Sequence, residues 1–393
     1  MTQGNIALML IDAMSYLLWL IVAAASGWLV AQHQKRQRNF PPDYFKGLNY
    51  LLNEEPDKAI DVFIKLIDVD SDTVETHLAF GLLFRRRGEV NRAIRIHQNL
   101  IARATLNSQQ RSLALFELAL DYQSAGLFDR AEDLFRELVG VGTHQILALR
   151  KLLEIYQQEQ DWNKAVDIAQ QLAVFDNKPM HTVIAQFYCE QAEDYRRQGQ
   201  NEAARQLIQK ALKTDCNCVR ASLIEGQLAV GMLHLEQAIL AFQRVEQQDP
   251  NYLTEVIEPL QICYQTIGQP REFVCYLRRI LERYGGITPM LKLAKIIKQQ
   301  EGEVEAADFI VKQLHLHPSA RGLDYLLDLV LSFGASISHE HLLLLKDITT
   351  QFLKNKPAYK CRYCGFTARK LHWQCPSCHQ WNMLKPIQGI DGE

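Results

Sequence analysis

A small residue recurs through the middle of the chain at intervals close to 34 residues, and this period restricts the fold more than any other feature. The spacings between the first six members are 34, 38, 34, 39 and 34 residues, and two further steps lead to Phe273 and Ala307. The six members are Ala59, Ala93, Ala131, Ala165, Ala204 and Ala238. A repeat of this length predicts pairs of antiparallel helices that are too small to fold alone and that stack to share one apolar core.

The residues around each alanine fit such a helix pair. In several units a glycine lies five residues earlier, where it ends the first helix with a backbone that tolerates positive φ. An aromatic residue lies nine residues before the alanine in four units, at Phe84, Tyr122, Tyr156 and Tyr195. Residues 44–320 therefore resemble the tetratricopeptide repeat family, which implies an all-α superhelical solenoid with a concave groove for partner proteins. Two units deviate, since Leu233 stands where glycine is expected and Phe273 where alanine is expected.

After the repeats, residues 321–356 carry apolar positions at helical spacing but out of register with the 34-residue period. We predict that they form a helical cap, because the last unit of a repeat array has no neighbour to cover its outer face.

The N-terminal region contains an uncharged apolar segment, AMSYLLWLIVAAASGWLVA, at residues 13–31. A helix of that length crosses the hydrocarbon core of a bilayer at about 1.5 Å per residue. Lys35, Arg36 and Arg38 follow it, and no Lys or Arg precedes it, which places the rest of the chain in the cytoplasm. The same order argues against a cleaved signal peptide. Residues 1–31 are thus predicted to be a single transmembrane helix and residues 32–43 a basic cytoplasmic linker.

The start of translation has two alternatives, Met1 and Met14. Asp12 would lie in hydrocarbon if the helix began near Ile6, whereas a start at Met14 removes it. Peptides from residues 1–13 in mass spectrometry would contradict the Met14 start.

The C-terminal region contains two C-x-x-C pairs, CRYCGF and CPSC, separated by ten residues. Each turn directs two thiolates to one point, and two turns together complete a tetrahedron. The predicted metal ligands are Cys361, Cys364, Cys375 and Cys378, holding one zinc or iron ion. The motifs are similar to those of rubredoxin-like and zinc-ribbon modules, here residues 357–393, with Trp373 and Trp381 available for the module's core. Four protein ligands close the site, which favours a structural role over electron transfer.

The other cysteines and the overall charge indicate the redox compartment and exclude some classes of function. The remaining five cysteines are scattered, which fits a reducing compartment, and we expect them to be buried and inert. The net charge of −2 shows no basic excess for nucleic acid. We find no phosphate loop, nucleophile elbow, dinucleotide fingerprint or metalloprotease helix, so no enzyme is predicted.

The order of anchor, solenoid and metal module resembles one family of Gram-negative inner-membrane proteins, the lipopolysaccharide assembly protein B family. The resemblance includes AAASGW, FRRRGEVNRAIRIHQNL at 84–100, AGLFDRAEDLF at 125–135, both cysteine motifs and KPIQGIDG at 385–392. It implies an adaptor that promotes degradation of the UDP-acyl-GlcNAc deacetylase of the lipid A pathway by a membrane-anchored AAA+ protease. It also implies contact with an inner-membrane lipopolysaccharide sensor and with export proteins, and a rubredoxin-like module packed on the repeats.

Two alternatives remain open from the sequence. One is an assembly scaffold that gathers lipopolysaccharide synthesis and export proteins. The other is a redox protein that uses iron in the four-cysteine site.

Overall fold

The computed structural model describes residues 42–53, 74–102, 106–175, 180–333, 339–354, 356–390 and 392, with isolated positions between 55 and 62. The predicted membrane helix at residues 13–31 and nearly all of the predicted linker lie outside these residues. Among the helices that are described, none is long and apolar enough to cross a bilayer.

The described chain is helical except for a small C-terminal sheet. The helices α1 to α17 are, in chain order, Pro42–Leu52, Val74–Arg86, Val90–Ile101, Ser108–Ser124, Phe128–Val141, Gln145–Glu159, Trp162–Phe175, His181–Arg197, Asn201–Thr214, Val219–Gly231, Leu235–Gln248, Leu253–Thr266, Pro270–Tyr284, Ile287–Gln300, Glu303–Leu316, Ala320–Phe333 and His339–Lys354. A 3₁₀ turn, Pro250–Tyr252, precedes α12. The strands β1 to β3 are Tyr359–Cys361, Thr367–Ala368 and Leu384–Pro386.

The 34-residue period corresponds to these helix pairs. All six periodic alanines are fully buried, as close approach of the two helices in a pair requires. Gly88, Gly126 and Gly199 each end the first helix of a pair with φ between 74° and 83°. The predicted tetratricopeptide-type helical repeat is therefore confirmed.

The two deviating units keep the same geometry. Leu233 adopts the left-handed backbone of the missing glycine, with φ of 60°, and its exposed side chain meets no obstacle. Phe273 replaces the small alanine and is buried, with its ring 6.0 Å from that of Tyr264. The turn geometry is thus set by the packing of the helices, which overrides the local preference of the residue.

The chain divides after Lys151 into two compact units. In the first unit, a buried ionic network joins α2, α3 and α4. Asp121 accepts hydrogen bonds from Arg85 Nη1 at 2.8 Å and from His97 Nδ1 at 2.5 Å, and both Asp121 and His97 are fully buried. Gly81 lies against His97, because a Cβ at this glycine would stand 2.3 Å from the imidazole.

The second unit has one continuous apolar core from α10 to α16, which includes Val256, Leu277 and Ala294. The helices α16 and α17 lie in the segment predicted as a cap, and α16 packs on α15 and α17 on α16. The C-terminal sheet is antiparallel in the order β2-β1-β3, with Tyr359 opposite Ala368 and Cys361 opposite Leu384.

Candidate metal centre and its docking face

The two cysteine pairs converge on one point at the end of the small sheet. One ligand sulfur from each of Cys361, Cys364, Cys375 and Cys378 lies within 4.8 Å of the others. The closest pairs cross between the two turns, with Sγ–Sγ distances of 3.8 Å for Cys361–Cys378 and 3.7 Å for Cys364–Cys375. The structure therefore brings together all four residues that the sequence singled out.

Both turns are closed by backbone hydrogen bonds. The Gly365 amide donates to the Cys361 carbonyl oxygen at 3.0 Å, and the His379 amide donates to that of Cys375 at 2.9 Å. The residue after each second cysteine has positive φ, 79° at Gly365 and 55° at His379. Sequence reasoning identified the glycine but not His379, whose side chain type gives no hint of this backbone conformation.

The electrostatics of the thiols favour metal ligation. A hydrogen bond from the Phe366 amide lowers the pKa of Cys364 to about 6, so this thiolate is available at neutral pH. Loss of solvation raises the pKa of Cys378 to about 12, so a cation is needed to hold this sulfur as a thiolate. Four thiolates at tetrahedral spacing fit one Zn²⁺ or one iron ion and leave no position for a substrate. Cys361 and Cys375 are buried, which suits a structural site.

The module docks on the repeats through a polar contact centred on Tyr252. The Tyr252 hydroxyl donates to the Leu384 carbonyl oxygen at 3.0 Å and lies 2.9 Å from Asn382 Oδ1. Burial raises the pKa of Tyr252 well above its usual value, so the hydroxyl keeps its proton. Lys385 Nζ lies 4.2 Å from the centre of the Tyr252 ring and 2.6 Å from Asp249 Oδ2. Tyr252 therefore ties the third strand of the module to the start of α12.

A second contact is aromatic and lies on α7 and α8. The Trp381 ring meets Phe187 and Trp162 edge to face, with centroid distances of 5.8 Å and 6.3 Å. Its indole nitrogen donates to Gln157 Oε1 at 3.0 Å, and Gln374 Nε2 donates to the same oxygen at 3.2 Å. Only 8% of Trp381 is exposed.

A third contact places Trp373 between α10 and α12. Its ring centre lies 5.4 Å from that of Tyr252 and 5.9 Å from the guanidinium of Arg220, which is itself paired with Glu190 at 2.8 Å. Both tryptophans thus pack against the repeats, whereas the sequence suggested that they fill the interior of the module. Leu384 occupies that interior beside the cysteines.

Together these contacts place the module on the first helices of successive pairs, α6, α8, α10 and α12, and on the start of α7. In a tetratricopeptide array the first helices line the groove. Within the second unit, part of the face on which the sequence placed a partner is therefore covered by the chain's own C-terminus. The C-terminal tail extends this docking, because the Ala320 amide at the start of α16 donates to the Ile390 carbonyl oxygen at 3.0 Å.

The scattered cysteines divide into two groups. Cys189, Cys218 and Cys263 are buried, as expected, but Cys216 and Cys275 are exposed. The expectation of burial was wrong for these two, since Cys216 lies in the turn after α9 and Cys275 faces away from the core side of α13.

The Lys385–Asp249 pair gives a prediction that depends on pH. Burial acts to raise the pKa of the Asp249 carboxyl, but the hydrogen bond from Lys385 and its positive charge outweigh burial and lower that pKa. Burial also lowers the pKa of the Lys385 ammonium. Asp249→Ala is expected to destabilise the second unit by about 3 kcal/mol at neutral pH, because it leaves the ammonium buried without its carboxylate. Lys385→Met is expected to have a smaller effect, since an apolar side chain tolerates the same burial.

A carboxyl whose pKa is lower in the folded chain than in the unfolded chain stabilises the fold fully at pH values above about 4, the pKa of an aspartate in the unfolded chain. This stabilisation is lost as the pH falls through the lower pKa that the carboxyl has in the folded chain. Urea unfolding of the wild type and Asp249→Ala should therefore differ most near neutral pH and converge in acid. A difference that does not change with pH would contradict this account of the pair.

Fold and site define the class of this protein as a tetratricopeptide-type helical solenoid with a C-terminal rubredoxin-like, four-cysteine module. The family model described as the rubredoxin metal binding domain matches residues 359–386, and a tetratricopeptide repeat model matches residues 189–252. Among solved structures, the C-terminal part of a TPR repeat-containing protein from Cytophaga hutchinsonii is 14% identical with a TM-score of 0.40, covering 62% of this chain and 96% of that one.

Two curated relatives align along nearly the whole chain. Lipopolysaccharide assembly protein B of Escherichia coli strain K12 is 40% identical over 382 residues, covering 95% of this chain and 98% of the relative. The protein of the same name from Haemophilus influenzae is 34% identical over 388 residues, covering 94% and 97%. The chain belongs to the lipopolysaccharide assembly protein B family.

Proposed function

We propose that this chain is a non-catalytic adaptor that regulates lipopolysaccharide synthesis. Its action would be to present the UDP-acyl-GlcNAc deacetylase of the lipid A pathway to a membrane-anchored AAA+ protease for degradation. The observation that carries the proposal is the alignment with the Escherichia coli relative named for lipopolysaccharide assembly, which covers 95% of this chain. The deacetylase and the protease are the partners implied by the family resemblance.

The geometry of the candidate metal site favours a non-catalytic adaptor over an enzyme. All four ligands of the candidate centre come from the protein, so no coordination position is left for a substrate. Its contribution is to fold the module that Tyr252, Trp381 and Trp373 hold against the repeats. A metal-dependent element fixed on a helical scaffold stiffens that scaffold for binding.

We further propose that the chain is held at the cytoplasmic face of the inner membrane by a single helix at residues 13–31. The proposal rests on the uncharged nineteen-residue segment and the Lys and Arg that follow it. Anchoring adaptor and protease in the same plane raises their effective concentration without any new contact. An inner-membrane lipopolysaccharide sensor and export proteins are further proposed partners in that plane.

Degradation reconstituted in vesicles tests this proposal. Purified deacetylase is incubated with the membrane-embedded protease and ATP, with and without the full chain, and its disappearance is followed. We expect faster degradation when the chain is present. Equal rates with and without it would overturn the adaptor role.

An assembly scaffold is the second candidate, favoured by the name of the relatives, lipopolysaccharide assembly protein B. It would gather lipopolysaccharide enzymes, with proteolysis secondary. Deleting residues 1–31 distinguishes the two, because a scaffold would then release those enzymes from the membrane while the half-life of the deacetylase stays unchanged.

The iron redox alternative is tested by metal analysis, and a colourless protein with one zinc per chain would count against it.

The client surface is proposed to lie on the first helices of the first unit. Leu147, near the start of α6, is 47% exposed, and its neighbour Ile146 is 39% exposed. Leu113 on α4 lies 34 residues earlier, at the equivalent position of its repeat, and is partly exposed. Apolar side chains in register on the groove-lining helices suit an apolar client segment.

Leu147→Glu is therefore expected to slow degradation of the deacetylase at least fivefold without lowering the unfolding temperature, since the side chain contributes little to the core. Val174→Glu near the end of α7 is the matched control, because Val174 is 81% exposed on a second helix. Rates are compared in the vesicle assay. Equal rates for the two variants would place the client surface elsewhere.

A further inference from the structure

The four cysteines of the candidate metal centre differ in how easily a solute reaches them. Cys364 is exposed and Cys378 is half-buried, whereas Cys361 and Cys375 are buried. A chelator in solution therefore meets Cys364 and Cys378 first. It removes the metal completely only after the two inner cysteines are uncovered, so the residues that cover them control the rate of release.

The third strand of the module covers the inner cysteines. Leu384, at the start of β3, is fully buried in one apolar cluster with Cys361 and Cys375. It stands opposite Cys361 in the ladder between β1 and β3, and the Met383 carbonyl oxygen accepts a hydrogen bond from the Arg362 amide at 2.9 Å. The strands β1 and β3 must therefore separate before Cys361 is uncovered.

The residues just before β3 close the second cysteine turn. The Cys375 amide donates to the Gln380 carbonyl oxygen at 3.0 Å, and Trp381 pairs with Gln374 in an isolated antiparallel bridge. One short segment of the chain thus connects the two cysteine turns. When this segment moves, both inner cysteines lose their cover together.

The repeats hold this segment by its outer edge. β3 is an edge strand of the small sheet, and such an edge presents backbone groups that have no partner within the sheet. Here the Tyr252 hydroxyl donates to the Leu384 carbonyl oxygen at 3.0 Å and lies 2.9 Å from Asn382 Oδ1. Tyr252 is fully buried, so this contact is closed to water.

We propose that the repeat array retains the metal ion, with Tyr252 as the positioning residue that keeps β3 over the inner cysteines. Glu255, one turn further along, accepts a hydrogen bond from the Tyr359 hydroxyl at 2.5 Å, so β1 is attached to the same helix as β3. The two strands separate only after one of these contacts breaks.

The coupling between docking and metal binding acts in both directions. Whatever free energy the docked repeats add to metal binding, the bound metal adds to docking, because the two equilibria are linked. Loss of the metal therefore weakens the hold of the module on the groove-lining helices α8, α10 and α12.

The rate of zinc release from the full chain tests the proposal. The chain is loaded with Zn²⁺ in a neutral detergent, and transfer of the ion to excess pyridylazoresorcinol is followed by absorbance. Tyr252→Phe removes only the hydroxyl and takes a donor from buried oxygens, so we expect release about tenfold faster than in the wild type. Before the chelator is added, the variant should still hold one ion per chain, since a tenfold change is small against the affinity of a closed four-thiolate site.

Tyr264→Phe is the matched control. Tyr264 lies near the other end of α12, is buried, and its hydroxyl accepts a hydrogen bond from Gln243 of α11 at 2.9 Å. Its loss should lower the stability to urea but leave zinc release at the wild-type rate. A wild-type rate for Tyr252→Phe would show that the cysteine turns alone retain the metal and would overturn the proposal. Equal acceleration in both variants would overturn it as well, because release would then follow the general loss of stability.

Hydrogen–deuterium exchange tests the reverse direction. The amides at residues 253–260, at the start of α12, are compared in the zinc-loaded wild type and after removal of the zinc. We expect faster exchange without the metal, and Tyr252→Phe should show part of this increase while zinc is still bound. Exchange that is indifferent to the metal would contradict the coupling.

Discussion

Replacing Cys361 and Cys364 together by serine is expected to abolish metal binding, unfold the C-terminal module and stop degradation of the deacetylase. These two residues supply half of the ligands, and a two-ligand remnant does not hold zinc or iron in a closed site. Metal binding supplies about 10–16 kcal/mol to the folding of small zinc modules, so the module cannot remain folded without it. Unfolding also removes Trp381 and Trp373 from the repeat helices and exposes Phe187 and Tyr252.

Elemental analysis should show a fall from one metal ion per chain to none. Tryptophan fluorescence should shift to the red, because two of the five tryptophans become hydrated. The matched control is Cys275→Ser, which alters an exposed thiol on α13 and should leave the metal content, the fluorescence and the turnover unchanged. Normal turnover of the deacetylase in the double variant would refute a role for the module in regulation.

Trp381→Ala should detach the module from α7 and α8 while the metal stays bound. Trp381 is 92% buried, contacts two aromatic rings and donates the hydrogen bond that Gln157 accepts. Removing a large buried aromatic side chain costs about 3–5 kcal/mol. The cysteines lie on other turns and keep their geometry, so this variant separates docking of the module from its folding.

Tyr363→Ala is the control for this variant, because Tyr363 lies on the same module but is 72% exposed. Unfolding in urea, followed together with metal content, compares the two. We expect a large loss of stability with full metal content for Trp381→Ala and no measurable change for Tyr363→Ala. Equal stabilities would mean that the contact with Trp162 and Phe187 does not hold the module in place.

The repeats and the clustering of the four cysteines could be predicted because their determinants are local. A buried alanine at every helix crossing leaves a period in the sequence, and a C-x-x-C turn brings two sulfurs together within four residues. Even the deviating Leu233 kept the turn, since neighbouring helices impose the left-handed backbone that glycine adopts without strain.

The docking of the module could not be predicted in the same way. Tyr252 and Asn382 are 130 residues apart, and neither belongs to a pattern that indicates the other. Aromatic residues near cysteines are equally suited to a module's interior or to its outer face. The sequence therefore did not show that Trp373 and Trp381 pack against the repeats. The ion pair between Lys346 of α17 and Asp324 of α16 could not be predicted for the same reason, because no sequence pattern links the two residues.

The half-life of the deacetylase in the native bacterium, with and without this protein and after translation is blocked, tests the central claim most directly. Our account predicts a much longer half-life on depletion, accompanied by a rise in lipopolysaccharide. An unchanged half-life would contradict the adaptor function and leave the passive assembly scaffold as the better description.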